Sequence, residues 1–123
     1  LIHINKMQCI IYHNQKCSKS RETLELLQNR GLYPTIIEYL KSSPKVDELE
    51  KIISTLKIHP KQLVRFKENK AKELGISTND SFTYKQWMKI LTINPELIER
   101  PIVVTSKGAA IGRPPENVLK VLD

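Results

Sequence analysis

"IIYHNQKCSKSRETLELL", residues 10–27, begins as an apolar run and ends as an amphipathic one. The run "QCIIY" leaves no room for a helical repeat and reads as a strand from Gln8 to Tyr12. From Ser18 to Arg30 the residues Leu24, Leu26 and Leu27 form a helical stripe, and Gly31 stands where a helix C′ residue belongs. Cys17 falls between the two, among Lys16, Lys19 and Arg21. "PTIIEYL", residues 34–40, then offers β-branched and aromatic residues for a second strand. Strand, helix and strand make a βαβ unit, which requires parallel strands and a right-handed crossover.

The rest of the chain extends this unit. "SSPKVDELEKIISTL", residues 42–56, reads as a helix capped by Ser43, with Pro44 near its first turn and Asp47 and Glu48 at its positive end. Leu49, Ile52, Ile53 and Leu56 repeat at helical spacing. Shorter helical pieces are expected after Pro60 and over "KENKAKEL", the second stopped by Gly75. Thr83 opens a helix through Trp87, Met88, Ile90 and Leu91 that ends before Asn94-Pro95. "PIVVTSKGAAIGR", residues 101–113, is a hairpin turning at Ser106-Lys107-Gly108. "PPENVLKVL" reads as a closing helix that starts at Pro114 or Pro115 and turns Val118, Leu119 and Leu122 inward. The predicted fold class is therefore α/β: βαβ, a helical insertion, then ββα.

A chain of 123 residues with 40% hydrophobic content suits one domain with a real core. That domain is expected over residues 7–123. Residues 1–6 precede Met7, lack the apolar run of a secretory signal, and read as an N-terminal extension or a vector scar. No run of eighteen apolar residues occurs, so a membrane partner is not expected. Two cysteines do not make a disulfide framework, which points to a reducing, cytoplasmic location. The net charge of +7 comes from scattered lysines without a basic run, and aromatics are only 6%, so a nucleic-acid partner is not expected either. His3 and His59 have no suggestive neighbours, and no spacing of His, Cys and acids marks a metal site.

Cys17 is placed just before the helix or at its cap. Helix-end amides lack intrahelical partners and favour negative charge. The amides of Ser18, Lys19, Ser20 and Arg21 therefore favour a thiolate at Cys17, and could hold an oxyanion beside the sulfur. Lys16, Lys19 and Arg21 add positive charge in the same window, and the first acid is Glu22. His13, four residues earlier, could donate a hydrogen bond to the thiolate or act as its base. The alternatives are a cap cysteine without chemistry and a solvent-facing histidine. Ser20 occupies the place of the second cysteine of a C-x-x-C motif, so "CSKS" cannot close an internal disulfide. Cys9 is expected to pack in the sheet as a small hydrophobe.

"IYHNQKCSKSRETLELLQNRGLYPTIIEYL", "LVRFKENKAKELGI", "NPELIERPIVVT" and "IGRPPENVL" together resemble the glutaredoxin-linked arsenate reductase family, ArsC, a thioredoxin-like group that also holds the Spx regulators. The resemblance implies that Cys17 is the nucleophile and that His13 helps to hold its thiolate. It also implies that Arg65, Arg100 and Arg113 surround the oxyanion, and that Pro101 is the cis-proline of the fold. Guanidinium forks suit a tetrahedral anion. The implied activity is arsenate reduction by Cys17 with glutathione as co-substrate, glutaredoxin as partner and no tightly bound cofactor. The end at Asp123 and the "RFKEN" segment resemble a short, chromosomal ArsC-like subgroup, for which another oxidised thiol is an alternative substrate. An Spx-like regulator docking on RNA polymerase is the rival class. "CSKS" lacks the second cysteine of the usual Spx switch.

Overall fold

The structure is a computed structural model that describes residues 7–122. The reading of residues 1–6 lies outside the described residues. The chain divides into two compact units, one carrying the chain up to Glu38 and again from Arg100, the other Tyr39–Glu99. We call them the sheet unit and the helical unit.

In the sheet unit, β1 (Cys9–His13), β2 (Thr35–Glu38), β3 (Ile102–Thr105) and β4 (Gly108–Ile111) form one sheet in the order β2-β1-β3-β4. β1 is parallel to β2, with Ile11 opposite Ile36, and antiparallel to β3, with Ile11 opposite Val103. β3 and β4 are the expected hairpin. Helix α1 (Ser18–Asn29) joins β1 to β2 and ends at Gly31 with φ +77°. One core gathers Cys9 and Ile11 from β1, Leu27 from α1, Val103, Ala110, and Val118, Val121 and Leu122 near the C-terminal end. The buried face of α1 is Ser20, Thr23 and Leu27, while Leu24 and Leu26 of the expected stripe are only partly buried against the core.

The closing element is a 3₁₀ helix, Pro115–Val121, where an α-helix was expected. The Asn117 amide bonds back three residues to the Pro114 carbonyl at 3.0 Å. Tighter winding eclipses residues three apart, and it sends Val118 and Val121 to the same core. Thr105 Oγ1 fastens this helix by donating to the Val121 carbonyl at 2.6 Å.

The helical unit contains α2 (Val46–Leu56), α3 (Asn69–Leu74) and α4 (Tyr84–Ile93), with 3₁₀ turns at Pro60–Leu63 and Pro95–Leu97. Thr83 caps α4 with a full capping box through Gln86. Ser43 does not cap α2; Lys45 holds that position. The Ser43 hydroxyl is instead spent on the Thr92 carbonyl at 2.8 Å. Trp87 anchors the core, edge-on to Phe66 and Phe82 with centroids 5.8 and 5.0 Å away. Among the described residues, no helix is long and apolar enough to cross a membrane.

Candidate active site

Cys17 is the N-cap of α1 in extended conformation, φ −97° and ψ 125°. A turn places it there: the Cys17 amide donates to the Asn14 carbonyl at 2.9 Å, and the Lys16 amide to Asn14 Oδ1 at 3.0 Å. The sulfur is half-buried. The Arg113 guanidinium donates from Nη2 to Cys17 Sγ at 3.2 Å. Arg113 is itself held, because its Nε donates to the Arg100 carbonyl at 2.8 Å. Asn117 Nδ2 fixes the Arg113 carbonyl at 2.8 Å.

Burial alone would push the Cys17 thiol up. The Ser20 amide, the Arg100 side chain, the Arg113 charge and the Lys19 amide, each favouring the thiolate, outweigh it and hold the group below the ordinary thiol range. The positive charge therefore comes from Arg100 and Arg113 rather than from the sequence neighbours. Lys19 pairs with Glu22 at 3.5 Å, and Arg21 Nη1 is bound to the Gln15 carbonyl at 3.0 Å. The Arg21 amide is also committed, donating to the Cys17 carbonyl at 3.0 Å to close the first helical turn.

His13 is buried at the end of β1 and its Nδ1 lies 2.7 Å from Ser20 Oγ. Ser20 Oγ also accepts from the Asn14 amide at 3.0 Å. Burial pushes the His13 pKa down; Glu38 works against this and the Arg21 charge adds to it. Burial therefore favours the neutral ring. Cys9 sits in the core, and burial pushes its thiol up, which makes it the less reactive of the two.

The sheet unit thus brings together Cys17, His13, Ser20, Arg100 and Arg113. The Arg100–Pro101 peptide is cis, as the resemblance implied, and Arg113–Pro114 is cis as well. Arg65 lies in the helical unit, with its Nε 3.8 Å from Glu68 and 3.7 Å from Glu99. Sequence reasoning passed over Thr23 and Gly112. Thr23 is fully buried, and a Cβ at residue 112 would stand 2.5 Å from Thr23 Oγ1 and 2.8 Å from Pro101 Cγ. The available signal was Thr23 itself, three residues after Ser20 and four before Leu27 on one helical face. Among the described residues, no cluster of His, Cys, Asp and Glu could hold a metal.

A family model described as the ArsC family matches residues 12–121. The arsenate reductase of Haemophilus influenzae is 44% identical over 117 residues, covering 94% of this chain and all of that protein. The arsenate reductase of Escherichia coli K12 is 44% identical over 112 residues, or 91% of this chain and 79% of its own length. The solved structure of an arsenate reductase from Vibrio cholerae is 45% identical, covers 96% of this chain and all of its own, and superimposes with a TM-score of 0.87. These likenesses carry the thioredoxin-like sheet as well as the sequence, and the chain belongs to the ArsC family.

Proposed function

We propose that the protein is an arsenate reductase in which Cys17 is the nucleophile. The observation that carries this reading is the 3.2 Å contact of Arg113 Nη2 with Cys17 Sγ at a helix N-cap that Arg100 also reaches. A cap amide supply and two guanidinium groups can stabilise a thiolate, and they suit a doubly charged tetrahedral anion next to it. Arg65, the third arginine of the family blocks, lies in the helical unit beside Glu68 and Glu99, and this reading rests on Arg100 and Arg113.

The Cys17 thiolate attacks arsenic and an oxygen leaves as water after protonation, giving a cysteine–arsenic(V) adduct. Two external thiols then supply two electrons. Arsenate and two thiols give arsenite, one disulfide and one water, and Cys17 is returned as thiolate. Glutathione and glutaredoxin are the external thiols, which suits "CSKS", where Ser20 replaces an internal resolving cysteine. These partners place the reaction in the cytoplasm. The test is arsenate-dependent NADPH oxidation with glutathione, glutaredoxin and glutathione reductase present. Steady turnover that vanishes when either arsenate or glutathione is withheld is expected. Absence of turnover with a folded protein and a reduced Cys17 would sink the reading.

A further inference from the structure

We propose that Ser20 is a positioning residue for the Cys17 thiolate, and that His13 acts on the sulfur only through it. The inference deepens the reductase reading and rests on it for its purpose, but its test reads the thiol itself and needs no arsenate.

Ser20 is fully buried in the first turn of α1. Its hydroxyl stands between two groups from the end of β1, the Asn14 amide at 3.0 Å and His13 Nδ1 at 2.7 Å. It therefore ties the start of the helix to the end of the strand and closes residues 14–17 into a fixed loop. The same residue is the third of α1, so its amide is one of the helix-end donors next to the N-cap Cys17 and favours the thiolate there. A side chain that pins the first turn thus sets the position of the amide that steadies the sulfur. The hydroxyl has one hydrogen and two acceptor sites. It accepts from Asn14, and among the described residues the acceptor within reach of its hydrogen is His13 Nδ1. A buried hydroxyl hydrogen without an acceptor is costly, so Ser20 donates and His13 is the Nε2–H tautomer. With its Nδ1 lone pair taken by Ser20, that nitrogen neither donates to the thiolate nor removes the thiol proton. Ser20 Oγ is likewise committed and buried, which takes it out of the set of substrate ligands.

The experiment is the pH profile of iodoacetamide alkylation in a Cys9→Ser background. Ser20→Ala should slow alkylation about ten-fold at pH 6.5, the change for one pKa unit, while the rate reached at high pH is kept. His13→Ala should produce a displacement in the same direction, and the double variant none beyond the larger single one, because both act through one hydroxyl. Additive displacements would mean that His13 reaches the sulfur by its own route and would overturn the proposal. Thr23→Val, in the same helix and also fully buried, is the control for packing. An equal displacement in Thr23→Val would reduce Ser20 to a structural role and would also overturn it. Should Ser20→Ala fail to fold, ¹⁵N NMR of the unaltered protein decides. A neutral His13 protonated on Nε2 is expected, and protonation on Nδ1 would refute the arrangement. Arsenate turnover is measured separately. Its absence with these thiol profiles intact would discard the reductase reading and leave the Ser20 assignment standing.

Discussion

The two units bury different kinds of side chain. Every buried side chain of the helical unit is apolar or aromatic, from Leu49, Ile52 and Ile53 to Trp87, Met88 and Leu91. The buried polar residues His13, Ser20, Thr23 and Thr105 all belong to the sheet unit. Buried polar groups are tolerated only when bonded, and each of these is: His13 to Ser20, Thr23 to the Lys19 carbonyl at 2.7 Å, and Thr105 to Val121. The helical unit also leaves Val46, Leu74, Phe82, Tyr84 and Ile93 exposed around α2–α4. The difference teaches where to look for chemistry. In one unit packing explains the interior, while in the other the interior also carries hydrogen bonds, and one of these pairs, His13 with Ser20, lies at the helix start that Cys17 caps.

The sharpest way to break this comparison is at the two cysteines. Cys17→Ser should abolish arsenate-dependent NADPH oxidation, and Cys9→Ser should leave most of it. Equal loss from both, with folding unchanged by circular dichroism, would make Cys9 a resolving thiol. Next come the arginines. Arg100→Ala and Arg113→Ala should each weaken sulfate or arsenate binding by about 1.5–3 kcal/mol, the range for hydrogen bonds to charged groups. Lysine at either position should rescue only in part, since it lacks the planar fork. Arg65 already faces two carboxylates, so Arg65→Ala should cost less than about 1 kcal/mol, in line with partly exposed pairs. Isothermal titration with sulfate separates the cases, and an equal loss at all three arginines would erase the distinction drawn here.

Two glycines compare the units by stability. Gly112→Ala should destabilise by about 1–3 kcal/mol, because the new methyl meets Thr23 and Pro101 in packed surroundings. Gly75→Ala, with φ +68° but open space around it, should cost only about 1 kcal/mol of backbone strain. Urea titration measures both, and a reversed order would show that the α1–β4 approach is looser than described.

The smallest effect is in pH. The folded pKa of Cys17 lies below its unfolded value, so folding favours the thiolate. Its contribution is present above the unfolded pKa and is lost as pH falls through the folded one. Cys9 is shifted upward, so its contribution is present below the unfolded pKa and is lost as pH rises through the folded one. Relative to Cys17→Ser, the unaltered protein should therefore gain stability as pH rises toward about 8.5. Relative to Cys9→Ser, it should lose stability above that value. Urea midpoints at pH 6, 8 and 9.5 give the signs, and the same sign for both cysteines would contradict the burial difference between them.

Much of the sheet unit was legible because its signals are local. A short apolar run marked β1, β-branched and aromatic residues marked β2, leucine spacing marked α1, and Gly31 marked its end. Boundaries moved by a residue or two, as with β1, expected from Gln8 and found from Cys9. The capping of α2 was not legible, since the group that engages Ser43 is the carbonyl of Thr92, 49 residues away. The 3₁₀ winding after Pro114 was hidden for a similar reason: the sheet that Val118 and Val121 must both face is not written in their own segment. At the site, the place of Cys17 at a helix cap could be read from its neighbours, but the origin of its charge support could not. Lys19 and Arg21 are adjacent in sequence but engage Glu22 and the Gln15 carbonyl, whereas Arg113 is 96 residues distant. Only the family blocks drew attention to it.

That separation has a consequence for the timing of reactivity during synthesis. β1 finds its antiparallel neighbour only when residues 102–105 are available, and Arg113 comes later still. A chain emerging from the ribosome in order carries Cys17 for most of its synthesis without either arginine, and the long loop to be closed makes this pairing late in any folding order. The nascent thiol stays an ordinary, mostly protonated cysteine, and it becomes a nucleophile only in a chain whose sheet is complete. Pulsed alkylation during refolding of the full chain checks this: rapid labelling of Cys17 at pH 6.5 should rise together with β1–β3 amide protection. Labelling that rises earlier, with the helical signal, would show that the α1 cap alone activates the sulfur.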